Sequence, residues 1–404
     1  MRKIKTIFLI FITIFLIVPV SAFSDTLKHK LETEMHHDIA LYQIPSIALS
    51  VSLPNEPHIR TYQAQSLQQE KKYPINSDSL FRVASITKFM VSVYLLKLQQ
   101  SGIISINDTI GETIKKYGYW APKKILNQWK NITIKQLMNM TSGIYNYLNY
   151  FSNQQFQPIF TNPKKQWNQD YFLEIAANYK PYFKPGCGWH YSDTNYILLG
   201  MLIAKIEKLP IDQVLNNRFF RSENIDLKNT YYPSENTQSA IFKHLMPGYF
   251  NNKNVTDINA SIAGASGAVI SNSTDLVKFM RIVFNSNFLD EKQLVQLKSV
   301  VDTRTGKPVK NLKQKYHQYG LGIWRTYSKI VGHYWDYEGQ TFGYETEIVW
   351  IPKSNIVFAI TINKLYLKND PLSSILHRIF KILIQTKNYK VNEKWQSHST
   401  NLKK

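Results

Sequence analysis

The sequence predicts an α/β protein of the α+β kind, an antiparallel sheet flanked by helices with a mainly helical region inserted. Two observations predict it. Strand-like runs gather at the two ends of the chain, at 47–53 and 59–63 and again at 320–325, 330–337, 344–350 and 355–362. Helical patterning prevails between them. Strands so far apart in sequence share a layer only if the two ends meet, which leaves the middle as an insertion. With 404 residues the chain can bury a large core. Its 25 Tyr, 21 Phe and 8 Trp argue against disorder.

The elements follow in order. Met1 to Lys5 is basic, Ile7–Val20 is an apolar run, and Val20-Ser21-Ala22 is small. This reads as a secretory signal over 1–22 cleaved after Ala22, because the run is short of the roughly 20 residues a membrane span needs. A domain over 23–387 is expected, its α/β part at about 30–90 and 266–387 and its helical part at about 91–265. The polar segment 388–404 is a tail. Leu27, Leu31 and Met35 give 23–42 a weak helical pattern. Ile47–Leu53 follows Pro45 as a strand, with Ile59–Gln63 as its hairpin partner. Phe89, Met90, Val93, Leu96 and Leu98 predict a helix over 86–98 that Gly102 ends. Further helices are expected at 133–140, 170–178, 193–207, 211–219, 275–284 and 373–386. Thr274 is the expected N-cap of the 275–284 helix.

Charge and cysteine content narrow the function. Lys and Arg number 49 against 28 Asp and Glu, a formal net charge of +21. The basic residues are scattered and match no nucleic-acid motif, so no nucleic-acid partner is expected. The charge favours peripheral association with anionic envelope surfaces. Cys187 is alone, so neither an internal disulfide nor a cysteine zinc cluster can form. No phosphate-binding glycine loop, dinucleotide motif or metal constellation appears.

Three local patterns carry chemistry. Ser85-Ile86-Thr87-Lys88 sets a hydroxyl and an amine on one helical face, the minimum for an activated serine nucleophile. The opening helix also brings free backbone N–H groups and the positive dipole end near Ser85. Tyr191-Ser192-Asp193 follows Pro185-Gly186 and precedes a helix, offering a phenol as proton shuttle. Tyr337-Glu338-Gly339-Gln340-Thr341-Phe342-Gly343 lies between two strand-like runs, where glycine permits close backbone approach.

Over roughly residues 30–385 the chain resembles the serine penicillin-recognising, β-lactamase-like superfamily, in its class C β-lactamase and D-alanyl-D-alanine carboxypeptidase branch. Phe81–Lys88 resembles the first motif and its flanks, and Gly102–Asp108 the segment that follows. Ile134–Ile144 resembles the Leu-Leu-x-His-Thr-Ser-Gly stretch, with Asn139 and Met140 replacing the usual pair. Tyr191-Ser192-Asp193 resembles Tyr-x-Asn, with Asp193 in the Asn place. Gly267–Leu276 resembles a Gly-rich turn into a helix, and Tyr319–Gly322 the strand before the third motif. There the family has Lys-Thr-Gly or His-x-Gly, and this chain has Tyr337-Glu338-Gly339. His333 lies four residues away, about 13 Å along a strand, too far to substitute. Glu338 is expected on the opposite strand face from Tyr337.

The resemblance implies an exported serine hydrolase, periplasmic or secreted. Ser85 would form an acyl-enzyme while Lys88 and Tyr191 share the acid–base work. The backbone N–H groups of Ser85 and Gln340 would form an oxyanion hole. Asp193, Gly339 and Thr341 would contact substrate, Asp193 also orienting Lys88 and holding its amine charged. Tyr337 would donate to the nucleophile network or to a substrate carboxylate. His190 is expected to point away, and Trp189, Trp324 and Trp335 to line a pocket or pack around it. The implied substrate is a peptidoglycan peptide, with D-alanyl-D-alanine carboxypeptidase-like cleavage, or a small amide or ester. Carboxylesterase or class C-like β-lactamase activity are alternatives, as is a non-catalytic envelope-binding or scaffolding role. No cofactor and no metal are implied, and oligomeric state is left open.

Overall fold

The computed structural model describes residues 20–54, 56–366 and 370–385. Residues 1–19, and with them nearly all of the expected signal, lie outside the described residues, as does the 388–404 tail.

The chain enters through helix α1 (Val20–Tyr42), where Leu27, Leu31 and Met35, four residues apart, are buried along one stripe. Strands β1 (Ser46–Ser52) and β2 (Arg60–Gln65) form a hairpin. Helix α2 (Ile86–Gln100) follows, with most of its residues buried, so it runs through the core rather than over it. Helix α3 (Asp193–Glu207) is buried in the same way. Helix α4 (Ser273–Asn285) packs on β1. Then come β3 (Val301–Asp302), β4 (Gln318–Tyr319), β5 (Trp324–Ser328), β6 (Gly332–Thr341), β7 (Tyr344–Ile351), β8 (Ile356–Ile362) and the closing helix α5 (Pro371–Gln385).

One antiparallel sheet holds these eight strands in the order β2-β1-β8-β7-β6-β5-β4-β3. The two ends of the chain meet where β1 pairs β8, Ile47 opposite Ile362. Side chains alternate between two cores. Val349, Ile351, Phe358 and Ile360 face α1 and α5. Ile348, Trp350, Val357 and Ala359 face the larger core shared with α2, α3 and the helical segments. This is a mixed α/β arrangement of helices on an antiparallel sheet, as the sequence predicts.

Some elements differ from expectation. Helix α4 is capped by Asn272, whose Oδ1 accepts from the Asp275 N–H at 2.8 Å. Thr274 lies inside the helix and bonds Ser50 and Thr61 instead, tying α4 to the sheet. Residues 320–323 form a turn, closed by the Gly320 N–H on the Ile323 carbonyl at 2.7 Å, so β5 starts only at Trp324. Gly322 takes φ +73°, with Ser92 and Tyr196 filling the space a Cβ would need. The 133–140 helix stops at Met138, because Met140 takes φ +66°. The 211–219 segment is one α-turn followed by a π-helix over Val214–Phe220.

One topological detail positions the site. Strand β5 pairs with β6 only from Gly332 to Asp336. Beyond that, β6 continues to Thr341 paired with β7 on its other side. Residues 337–341 therefore present a free backbone edge towards α2.

Candidate active site

Ser85 stands at the N-terminus of α2, on a turn the protein holds tightly. Ala84 takes φ +46°, a left-handed conformation unusual for a residue with a side chain. Thr87 Oγ1 donates to the Ala84 carbonyl at 2.7 Å and accepts from the Val269 N–H at 3.1 Å. Ser85 makes no side-chain cap, so its hydroxyl is free for other partners. Strained backbone of this kind costs about 1–3 kcal/mol and persists where surrounding bonds impose it.

One helical turn later, Lys88 Nζ donates to Ser85 Oγ at 3.0 Å. It also donates to Asp193 Oδ1 at 2.6 Å and to the Ser266 carbonyl at 2.7 Å. Three acceptors saturate an ammonium. Lys88 is fully buried. Burial is the largest influence and works against its charge, yet Asp193 and Tyr191 together outweigh it and hold the pKa above the ordinary lysine value. The amine is therefore a cation at rest.

Asp193 opens α3 and is itself buried. Its second oxygen accepts from Asn146 Nδ2 at 3.1 Å, and its own N–H donates to Asn146 Oδ1 at 3.2 Å. Met140 sits behind this pair, its sulfur accepting from the Ser192 N–H at 3.4 Å. The departure at Met140 thus supports the second motif through packing.

Tyr191 lies beside the pair, its ring centroid 4.8 Å from Lys88 Nζ. Burial pushes its pKa up, opposed by the charge on Lys88 and by hydrogen bonding to Lys88 and Ser85. It is a neutral phenol at rest. Behind it, Tyr337 Oη stands 3.3 Å from Tyr191 Oη and 2.7 Å from Tyr319 Oη. Burial drives the pKa values of Tyr337 and Tyr319 well above the usual phenol value. Tyr196 extends the cluster of phenols, bonding Ser92 at 2.7 Å and the Met138 carbonyl at 3.0 Å.

The free edge of β6 closes the other side. A Cβ on Gly339 would stand 2.1 Å from the Val83 carbonyl oxygen and 3.2 Å from the Ser85 nitrogen. Only glycine lets the strand press this closely on the nucleophile turn. The contact sets the next residue, Gln340, beside Ser85. Ser85, Tyr191, Asp193, Gln340 and Thr341 all line one cleft of about 690 Å³.

The structure thus brings Ser85, Lys88, Tyr191 and Asp193 together and places Gln340 and Thr341 at the same cleft. Gly339 meets the protein's own backbone. Tyr337 is fully buried behind Tyr191 and bonded to two phenols, so it acts through Tyr191 rather than on a substrate carboxylate. His190 turns away and stacks on Tyr182 at 3.5 Å. Trp189 and Trp324 line the cleft, while Trp335 is buried near Phe284. Sequence reasoning missed Asn146, Tyr319 and the Ser266 carbonyl. Asn146, three residues past Thr141-Ser142-Gly143, has no local signature.

Under the free edge, on the α1/α5 face of the sheet, lies a group of acids. Glu338 pairs directly across from Glu347, with Asp336 and Glu345 close by. Burial first, then repulsion among these acids and from Asp370, raises Asp336 and Glu338 to about 7 and Glu345 to about 8, with Glu347 raised well above the ordinary value. Tyr337 and Glu338 therefore occupy opposite faces of β6. Among the described residues, no group of three or more His, Cys, Asp or Glu is arranged to hold a metal ion. Nor is any helix there long and apolar enough to cross a membrane.

A serine at a helix start, a lysine one turn on, a tyrosine just ahead of a second helix and a glycine-bearing strand edge define a serine acyl-transfer type of site on a β-lactamase/transpeptidase-like fold. The Beta-lactamase family model matches residues 27–378, and the chain belongs to that family. It is 22% identical over 296 residues to penicillin-binding protein 4* of Bacillus subtilis, covering 70% of this chain and 60% of that protein. Thus the match spans less than two thirds of that relative's length. The D-amino acid amidase of Ochrobactrum anthropi superposes with a TM-score of 0.71 at 20% identity, over 93% of this chain and 99% of the amidase. The D-stereospecific amidohydrolase of a Streptomyces species gives 0.68 at 23% identity, over 87% and 97%.

Proposed function

We propose that this chain is a serine hydrolase that cleaves amide or ester bonds through an acyl-enzyme on Ser85. The observation that carries the reading is the 3.0 Å contact from Lys88 Nζ to Ser85 Oγ beside Tyr191. Because Lys88 is already a cation, it does not take the serine proton. Instead Tyr191 takes the Ser85 proton as it passes its own to the leaving nitrogen or oxygen, remaining neutral overall. Lys88 stabilises the negative charge that develops on Ser85 and Tyr191, and the Ser85 and Gln340 amides receive the carbonyl oxygen. The bond from Ser85 Oγ to the carbonyl carbon forms and the leaving-group bond breaks. Water then reverses the sequence, releasing a carboxylic acid.

Small amides fit this chemistry, and the names of the two amidase neighbours support them as substrates. A second reading is D-alanyl-D-alanine carboxypeptidase-like cleavage of cell-wall peptides. Similarity to a penicillin-binding protein favours it, as does a formal charge of +21 that would draw the protein to an anionic envelope. Both readings suit an exported protein, periplasmic or secreted, which the basic and apolar leader supports. Intact-mass analysis after exposure to fluorophosphonate and fluorescent penicillin tests the reading. One adduct on Ser85, lost in Ser85→Ala, is expected. Folded protein that forms no adduct and turns over no ester overturns it.

A further inference from the structure

Among the described residues, no lysine or arginine lines the cleft to meet a substrate anion. Lys88 stands beside Ser85, and its charge is taken up by Asp193 at 2.6 Å inside a buried pair. On β6 the residue behind the proton shuttle is Tyr337, uncharged and already bonded to Tyr191 and Tyr319. Beside Tyr191, the ionisable side chains that line the cleft on the Tyr337 face of β6 are, among the described residues, Asp193 and His317, the latter edge-on to Trp324 at 6.2 Å. A carboxylate entering here sheds water without gaining a lysine or arginine counter-charge.

The walls favour uncharged, partly aromatic groups. Trp189 and Trp324 pack at 5.4 Å on one side, and Phe156 and Phe342 at 5.0 Å on the other. Both pairs present apolar surface beside the polar centre.

We propose that the site selects acyl donors whose leaving group is uncharged, that is, amides and esters without a free carboxylate near the scissile bond. This rests on the hydrolase reading above and sets small neutral amides ahead of peptides ending in a free carboxylate. Hydrolysis converts such a substrate into a carboxylate product. The same lack of counter-charge then favours product release.

Two aryl esters of one acyl group test the selectivity, one leaving as a meta-carboxyphenol and one as a meta-carbamoylphenol. They match in shape and differ in charge, and both are activated, so burst release of the phenol reads acylation directly. The carbamoyl ester is expected to give the higher kcat/KM by about 30-fold, the scale set by one charge-assisted hydrogen bond. In Thr341→Lys, which brings a cation to the part of β6 that lines the cleft, the preference narrows or reverses. Equal rates in the unaltered enzyme, or faster acylation by the carboxylate ester, overturn the selectivity and leave the hydrolase reading intact. Release from neither ester, with no Ser85 adduct in folded protein, overturns both.

Discussion

Lys88 Nζ and Asp193 Oδ1 stand 2.6 Å apart, both buried, and this contact fixes how the site must work. The carboxylate keeps the amine charged, which takes it out of service as a base. In Asp193→Asn the charge partner goes while an acceptor oxygen remains. Burial then dominates, and the Lys88 pKa falls. The charge that stabilises the transition state is then lost at lower pH. A pH–rate profile of kcat/KM is expected to move its alkaline limb downward. An unchanged profile would mean that Lys88 is not held charged by Asp193.

The three phenols make a graded prediction. Tyr191→Phe removes the proton shuttle and should lower kcat by about 10²–10⁴. Tyr337→Phe removes one donor behind it, at a cost of about 1 kcal/mol or roughly fivefold. Tyr319 is hydrogen-bonded to Tyr191 through Tyr337. The double variant Tyr319→Phe/Tyr337→Phe should therefore be no slower than Tyr337→Phe alone. A double-mutant cycle on kcat checks this, and additive losses would show that Tyr319 acts by another route.

The sheet and both motif helices were legible because their signals are local. Ile47–Leu53 is a buried apolar run, and the 86–98 and 193–207 patterns are continuous. Ser85 and Lys88 were legible because spacing and a helix start place them, Tyr191 and Asp193 because their segment resembles the family's second motif. Asn146 and Tyr319 were not, since each reaches the site through a contact between segments distant in sequence. The burial of Tyr337 was equally hidden. Its neighbours Tyr319 and Tyr191 lie 18 and 146 residues away. Thr274 misled because Asn272 offers a better cap two residues earlier, an ambiguity that hydroxyl and amide preferences alone do not resolve.

Gly339 provides a steric test of the strand edge. Its Cβ in Gly339→Ala would overlap the Val83 carbonyl, which is backbone and cannot swing aside. Either β6 or the nucleophile turn must retreat, which separates the Gln340 and Ser85 amides. Loss of an oxyanion donor costs about 10²–10³ in kcat. The expected result is a fall in kcat of that order with KM little changed. Equal effects on both constants would point to general disruption of the cleft.

The acids beneath the site make stability depend on pH in a direction opposite to most surface carboxylates. In the unfolded chain they ionise near 4–4.5. In the folded protein Asp336 and Glu338 hold their protons to about 7 and Glu345 to about 8, with Glu347 raised well above the ordinary value, chiefly through burial. Between those limits the folded state binds more protons than the unfolded state. By linkage, stability is then full below the unfolded pKa and falls as pH rises through the folded values. Strand β6 carries both Tyr337 and the Gln340 amide, so this loss should appear first as reduced activity above neutral pH. Glu347→Gln keeps the size and hydrogen-bonding capacity of the side chain and removes one charge from the middle of the group. Melting temperatures from pH 5 to 9 should decline less steeply in this variant than in the unaltered protein. Parallel curves would show that the group is relieved by some other counter-charge and does not govern the alkaline limit.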